Sequence, residues 1–187
     1  MTQERAIGVL GGSFNPPHVA HVLATAYVLS VHEVGRVLVV PTFQHPFAKT
    51  LAPFEERVHM CELAFAWMGE RVVVSRVEEE LGGESRTLRT LEHLAKTHPD
   101  WSLRLVMGAD LVVESPKWHG FDEIKKLAPP IVLGRAGVPL AGAPPSILPE
   151  ISSTAVRANI AAERWDEVTP YLPKAVLDHV RARRLYR

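Results

Sequence analysis

The sequence predicts an α/β fold: a Rossmann-like doubly wound sheet of five or six mainly parallel strands, with a small helical segment at about 152–187. Three observations predict it. Short apolar runs alternate with amphipathic stretches along the chain. The runs Val37 to Val40 and Val72 to Val74 are continuous rather than interleaved with polar residues, as in strands covered by helices on both faces. The connections are short, with no internal repeat and no low-complexity stretch. At 187 residues, 47% hydrophobic and 22% charged, the composition suits one globular domain spanning 1–187.

The first strand is expected at Ala6 to Leu10, followed by a helix at Val19 to Val31. A second strand at Val37 to Val40, a helix at Glu55 to Trp67 and a third strand at Val72 to Val74 complete a β-α-β-α-β rhythm. The alternation continues with a helix at Thr87 to Lys96, a strand at Leu103 to Met107, a short helix around Phe121 to Lys126 and a strand at Ile131 to Leu133. Pro139 to Pro149, rich in proline and small residues, reads as a loop with room for a short strand at Ser146 to Leu148. Ser152-Ser153-Thr154 supplies cap oxygens for a helix through about Ala162, and Pro173 precedes a last helix near Lys174 to Arg184.

Lys+Arg and Asp+Glu both total 21, which argues against a chain that holds nucleic acid by phosphate neutralisation and favours a small ligand. The uncharged stretch Ala6 to Pro17 contains only a five-residue apolar run, too short for a signal-peptide core or a membrane span, so a cytoplasmic, membrane-free protein is expected. The single cysteine, Cys61, cannot form an internal disulfide and reads as helix core packing.

The segment Gly11-Gly12-Ser13-Phe14-Asn15-Pro16-Pro17-His18-Val19-Ala20-His21 joins the first strand to the first helix, the place where α/β sheets hold phosphate. Glycines let a ligand approach the backbone, and the helix start offers unpaired N–H groups and a positive dipole end. His18 and His21 are three residues apart, so on a helical first turn both rings lie on one face. Neither a Walker loop nor a Gly-x-Gly-x-x-Gly fingerprint is present. A histidine pair alone also suits zinc or an exposed surface, but structural zinc wants four ligands and Cys61 is far away in sequence. Ile151-Ser152-Ser153-Thr154-Ala155-Val156-Arg157 places hydroxyls at a helix start and a forked cation one turn in, a pattern that serves as a plain cap or as a phosphate site.

Gly12 to His21 spells Gly-x-Phe-x-x-x-His-x-x-His, which resembles the signature of the nucleotidyltransferase superfamily, and Ile-Ser-Ser-Thr-x-x-Arg resembles its partner motif. Together with Ser85-Arg86-Thr87-Leu88-Arg89-Thr90-Leu91, Gly108-Ala109-Asp110, Trp118 and Gly134-Arg135-Ala136-Gly137, the chain resembles the bacterial nicotinate-nucleotide adenylyltransferases over nearly its whole length. The resemblance implies AMP transfer from ATP to nicotinate mononucleotide, giving deamido-NAD and pyrophosphate in NAD biosynthesis. It implies that Gly11, Gly12, Ser13, Phe14, His18, His21, Gly108, Asp110, Ser152, Ser153, Thr154 and Arg157 bind ATP, with His18, His21 and Arg157 catalytic. Asn15, Lys49, Thr87, Trp118 and Arg135 would meet the mononucleotide, Thr87 and Trp118 at its ring. Taken singly, Trp118 reads as packing, and Asp110 and Thr87 as helix caps.

The resemblance has departures. His45 and Lys49 replace a compact Pro-Pro-His-Lys, which leaves open which of them reaches a phosphate. Asn15 stands for a usual Asp, Arg86 for an aromatic residue, and His119 for a Tyr. Nicotinamide mononucleotide as acceptor, and a nucleotide sensor without turnover, are the alternatives, and the oligomeric state, a homodimer included, is left open. The acceptor phosphate is largely dianionic near neutral pH, so no protein base is needed. The work is alignment and charge neutralisation, with Mg2+ held mainly by ATP oxygens and water and no side-chain metal cage.

Overall fold

Val37, Leu38, Val39 and Val40 are all buried although consecutive strand residues point to opposite faces, so this strand has a core on each side. The computed structural model describes residues 6–45, 50–114, 118, 120–137 and 146–187. The elements are β1 (Ala6–Gly12), α1 (Val19–Val31), β2 (Arg36–Pro41), α2 (Phe54–Phe65), β3 (Val72–Val74), α3 (Val77–Leu81), α4 (Thr87–Thr97), β4 (Ser102–Gly108), α5 (Ala109–Glu114), α6 (Phe121–Leu127), β5 (Ile131–Arg135), β6 (Ser146–Leu148), α7 (Ser153–Ala161), α8 (Trp165–Val168) and α9 (Lys174–Ala182).

The six strands pair in parallel in the order β3-β2-β1-β4-β5-β6. The order reverses between β1 and β4, and such a reversal opens a crevice at the carboxyl ends of those two strands. Val37 and Val39 join Ala24 and Val28 of α1 and Met60 of α2 in one core, while Leu38 and Val40 join Leu91 of α4 and Ile124 of α6 in the other. Gly8 in β1 is required by this two-sided packing, because a Cβ there would lie 3.2–3.4 Å from side chains of Val37, Val106 and Val34.

The expected doubly wound sheet is therefore present, with local differences. α2 ends at Phe65 and tightens into a 3-10 turn over Ala66–Arg71, where Gly69 takes φ 62°, instead of continuing to Trp67 as α-helix. α9 stops at Ala182. Three short helices, α3, α5 and α8, stand where no helix is expected from periodicity. α9 buries Val176, Leu177 and Val180, and its His179 and the following Arg183 reach Glu56 on α2 at 2.7 and 2.8 Å. Among the described residues no helix is long and apolar enough to cross a membrane.

Candidate active site

Three cavities open around the turn after β1. One of about 280 Å³ lies between β1 and β4 and is lined by Thr87 and Trp118. A second, of about 260 Å³, is lined by His18, Asp110, Ile151 and Ser152. The third and largest, of about 990 Å³, is lined by Asn15, Ser153, Thr154 and Arg157. Gly11 and Gly12 border the first two, Ser13 the first and third, and His21 the second and third, so the turn is their common wall. Phe14 holds φ 44° in this turn, a strained conformation for a non-glycine residue, and it is 1% exposed.

His18 is not on the first helical turn as its spacing suggests; it is the N-cap of α1 with extended φ −135°, and His21 is the third helical residue. Their rings still meet, stacked at 3.8 Å between centroids, because the His18 N–H donates to His21 Nδ1 at 3.1 Å. That bond makes Nδ1 an acceptor, which assigns the His21 proton to Nε2. Phe14 also packs tilted against His21, at 4.9 Å between centroids. A neutral imidazole is thereby oriented as an Nε2–H donor at the wall shared by two cavities.

The late motif is bolted to the early one. Ser152 caps α7 by accepting the Ala155 N–H at 3.1 Å, as its position predicts. Ser153 Oγ donates to the Pro16 carbonyl at 2.9 Å, and Arg157 Nη1 donates to the Asn15 carbonyl at 2.8 Å. Arg157 Nη2 also reaches Thr154 Oγ1 at 3.3 Å. Thus the start of α7, with its positive dipole end, is set opposite the start of α1, and the guanidinium braces the turn while lining the largest cavity. Asn15 is 2% exposed; its Oδ1 accepts the Ala52 N–H at 3.0 Å and its Nδ2 approaches the Thr50 carbonyl at 3.5 Å.

In the Trp118 cavity the hydroxyls of the Ser-x-Thr-x-x-Thr-Leu segment divide their work. Ser85 Oγ accepts the N–H of Phe43 at 2.9 Å, and Thr90 Oγ1 donates to Glu78 at 3.2 Å. Glu78 also accepts the Phe43 N–H at 3.1 Å. Burial pushes the Glu78 carboxyl above the ordinary range, while hydrogen bonds from Ser85, Phe43 and Thr90 oppose that shift. Thr87 and half-buried Trp118 face the same cavity, Trp118 edge-on to Phe121 at 6.0 Å, and His45 lines it as well. Lys49 and His119 lie outside the described residues, as does the side chain of Arg135, whose backbone belongs to β5.

Gly108 ends β4 and Asp110 sits in the first turn of α5, half-buried beside the second cavity. A Cβ at position 108 would collide with Asp110 Oδ1, so the glycine is what lets this carboxylate fold back over the strand end. Two participants carry no signal in the sequence reading. Arg57, 1% exposed, donates to the carbonyls of Ala52 at 2.9 Å and Ser13 at 3.0 Å, with that of Phe43 at 3.5 Å. Glu78 sits inside the run Glu78-Glu79-Glu80, where a solvated face is the ordinary reading. Cys61 is fully buried and its thiol is pushed strongly up by burial, consistent with packing. Among the described residues no group of three or more His, Cys, Asp or Glu is placed to hold a metal ion.

A crevice at the switch point of a parallel sheet, walled by two helix starts, two histidines and an arginine, defines a nucleotide-binding α/β protein built to handle phosphates. Residues 9–159 match the cytidylyltransferase-like family. A protein of Anaeromyxobacter dehalogenans (strain 2CP-C), named probable nicotinate-nucleotide adenylyltransferase, is 48% identical over 191 residues, covering 100% of both chains. One of the same name from Myxococcus xanthus (strain DK1622) is 38% identical over 180 residues, covering 96% of this chain and 94% of the relative. The fold of Plasmodium falciparum nicotinic acid mononucleotide adenylyltransferase, solved in complex with NaAD, superposes with a TM-score of 0.84 at 18% identity over 97% of each chain. The chain belongs to the cytidylyltransferase-like family and, within it, to the nicotinate-nucleotide adenylyltransferases.

Proposed function

We propose that this chain transfers AMP from ATP to nicotinate mononucleotide, giving deamido-NAD and pyrophosphate. The observation that carries it is the junction of three cavities at one turn. The Trp118 cavity suits a flat ring, since an indole face stacks on an electron-poor pyridinium and Thr87 offers a hydroxyl. The Asp110 cavity suits a nucleoside, a carboxylate being a fit acceptor for ribose hydroxyls. The largest cavity, with His21, Arg157 and the start of α7, suits the phosphates.

In this arrangement an oxygen of the mononucleotide 5′-phosphate attacks the α-phosphorus of ATP. The bond from that phosphorus to the α,β-bridging oxygen breaks, and pyrophosphate leaves with the electron pair. No proton needs to be removed from the nucleophile. His21 Nε2–H and the α7 N–H groups stabilise charge developing on the phosphoryl oxygens, and Arg157 keeps the two helix starts together while facing the leaving group. His21, Ser153, Thr154 and Arg157 of the phosphate cavity are neutral or cationic and Asp110 of the neighbouring cavity is a lone carboxylate among its described lining, a set that would fit a magnesium ion carried on ATP oxygens rather than one caged by carboxylates. When bound, that ion supplies further charge neutralisation.

The test supplies ATP and Mg2+ with nicotinate or nicotinamide mononucleotide in turn and follows pyrophosphate release. Faster release with the acid is the expected result. Equal or better use of the amide would reassign the ring cavity, and no release with either would leave a nucleotide-binding protein without turnover.

A further inference from the structure

We propose that the turn Arg184–Arg187, which follows α9, is a binding wall for inorganic pyrophosphate, holding the leaving group as it separates from the α-phosphate. The proposal rests on the adenylyltransferase reading and adds to it a subsite in the largest cavity. That cavity is lined by His21 and the start of α7 and also by Arg184, Leu185, Tyr186 and Arg187. Thr154, Arg157, Ala158 and Ala161 recur at three- and four-residue spacing and so form one stripe along α7. Past Arg157 the stripe consists of Ala158 and Ala161, which share the cavity wall with the C-terminal turn.

The charge of this space is one-sided. The chain as a whole has equal numbers of basic and acidic residues, yet among the described residues the cavity lining contains Arg157, Arg184, Arg187 and His21 and no acidic side chain. Such a wall suits a small polyanion. The ring cavity, by contrast, has Trp118 on its wall, so the two ends of the site differ in the ligand they suit.

The turn is also held in an unusual shape. Arg184 has φ 52° and Tyr186 φ 67°, both in the left-handed region that non-glycine residues rarely adopt. Such strain persists only where neighbouring structure imposes it. Here the Leu185 N–H bonds to the Val180 carbonyl at 3.1 Å, Leu185 and Tyr186 pack on the core, and the Arg187 guanidinium lies over the Trp165 ring at 5.6 Å. The Tyr186 hydroxyl is sealed from solvent with no hydrogen-bond partner among the described residues. Burial pushes its ionisation strongly up, although the Arg157 and Arg57 guanidiniums pull the other way, so it remains a phenol beside those two cations. Tyr186 is the positioning residue of the wall; Arg184 and Arg187 supply its charge.

The experiment compares wild type, Arg184→Ala, Arg187→Ala, the double alanine variant, the double lysine variant and Tyr186→Phe. Inorganic pyrophosphate is the probe, titrated directly by calorimetry and used both as product inhibitor and as substrate of the reverse reaction. In the double alanine variant the pyrophosphate inhibition constant and reverse KM rise by about tenfold, while the mononucleotide KM stays within about twofold. The double lysine variant recovers part of the loss, and added salt narrows every difference because the wall is open to solvent. Melting curves identify any variant that fails to fold, and the single alanine variants and the lysine pair then carry the comparison. Equal pyrophosphate affinity in the wild type and a folded double variant overturns the wall, as does a rise in mononucleotide KM as large as that for pyrophosphate. Absence of turnover in the wild type instead overturns the adenylyltransferase reading, and the calorimetric comparison still decides the wall.

Discussion

His21 illustrates how one backbone contact sets the chemistry of a side chain. With Nδ1 occupied by the His18 N–H, the ring keeps its proton on Nε2 and serves as a donor without carrying charge. His21→Ala is expected to lower kcat by about two to three orders of magnitude with little change in mononucleotide KM, because the lost donor acts on charge that develops in the transition state. Steady-state kinetics check this, and 15N chemical shifts of the imidazole check the tautomer. Gly108 supports a second prediction. Its missing Cβ is what makes room for the Asp110 carboxylate, so Gly108→Ala pushes that group aside and raises the ATP KM by about tenfold, with the mononucleotide KM unmoved. Asp110→Asn moves the same constant in the same direction. The histidine turn was legible because the turn chemistry around Gly11, Gly12, His18 and His21 is written locally, whereas Gly108 and Asp110 entered only through the family resemblance, Asp110 alone reading as a helix cap. Glu78 and Arg57 were not legible, because a buried charge is created by tertiary closure, and their neighbours in sequence look like ordinary helix surface.

Elements long enough to show a period were legible: α1 was expected over the residues it occupies, and the β-branched run of β2 marked a strand buried on both faces. The same reading of Val72 to Val74 fails, because β3 is the edge of the sheet and its Val73 is exposed. α3, α5 and α8 span 5, 6 and 4 residues, too short to show a helical period. Nor could periodicity reveal that α9 docks on α2, since that contact joins Glu56 to His179 and Arg183 across the sequence. Glu56 is held below the ordinary carboxylate range, first by the hydrogen bond from Arg183 and then by that from His179, and the His59 ring contacts His179 at 4.7 Å. A carboxylate held low contributes stability that is present above its unfolded pKa and lost as pH falls through its folded value. Glu56→Gln is therefore expected to cost on the order of 1 kcal/mol near neutral pH. That corresponds to about 2–4 °C in melting temperature for a domain of this size. The gap to wild type should close as the pH falls below about 4. Thermal melts across pH measure it, and a gap that widens in acid would show that the pair does not hold the two helices together.

Across the whole molecule, the site is a meeting of segments that the sheet order brings to one edge, and Arg57 is the tie among three of them. Its guanidinium reaches the Ser13 carbonyl in the phosphate turn, the Phe43 carbonyl after β2 and the Ala52 carbonyl ahead of α2. Those loops border different cavities: Ser13 two of them, Ala52 the largest, while Phe43 is bonded to Ser85 and Glu78 at the ring cavity. Burial lowers the Arg57 pKa, and the nearby Tyr186, Cys61 and Glu78 oppose that shift, so the charge is held inside the fold by carbonyl dipoles and by a carboxylate close by. Lysine keeps the charge but replaces the planar fork with a single ammonium, which cannot span all three carbonyls. Arg57→Lys is thus expected to leave at least one buried carbonyl without its donor, at a cost of about 1–3 kcal/mol. Because the tie serves both halves of the site, it should raise the KM for ATP and for the mononucleotide together. Arg157→Lys, which loosens only the α7 side, should raise the ATP constant more than the other. Kinetics on the two variants, with melting curves run alongside, separate the roles: a change confined to one substrate in Arg57→Lys would place that guanidinium within a single cavity wall and remove it as the link between the loops.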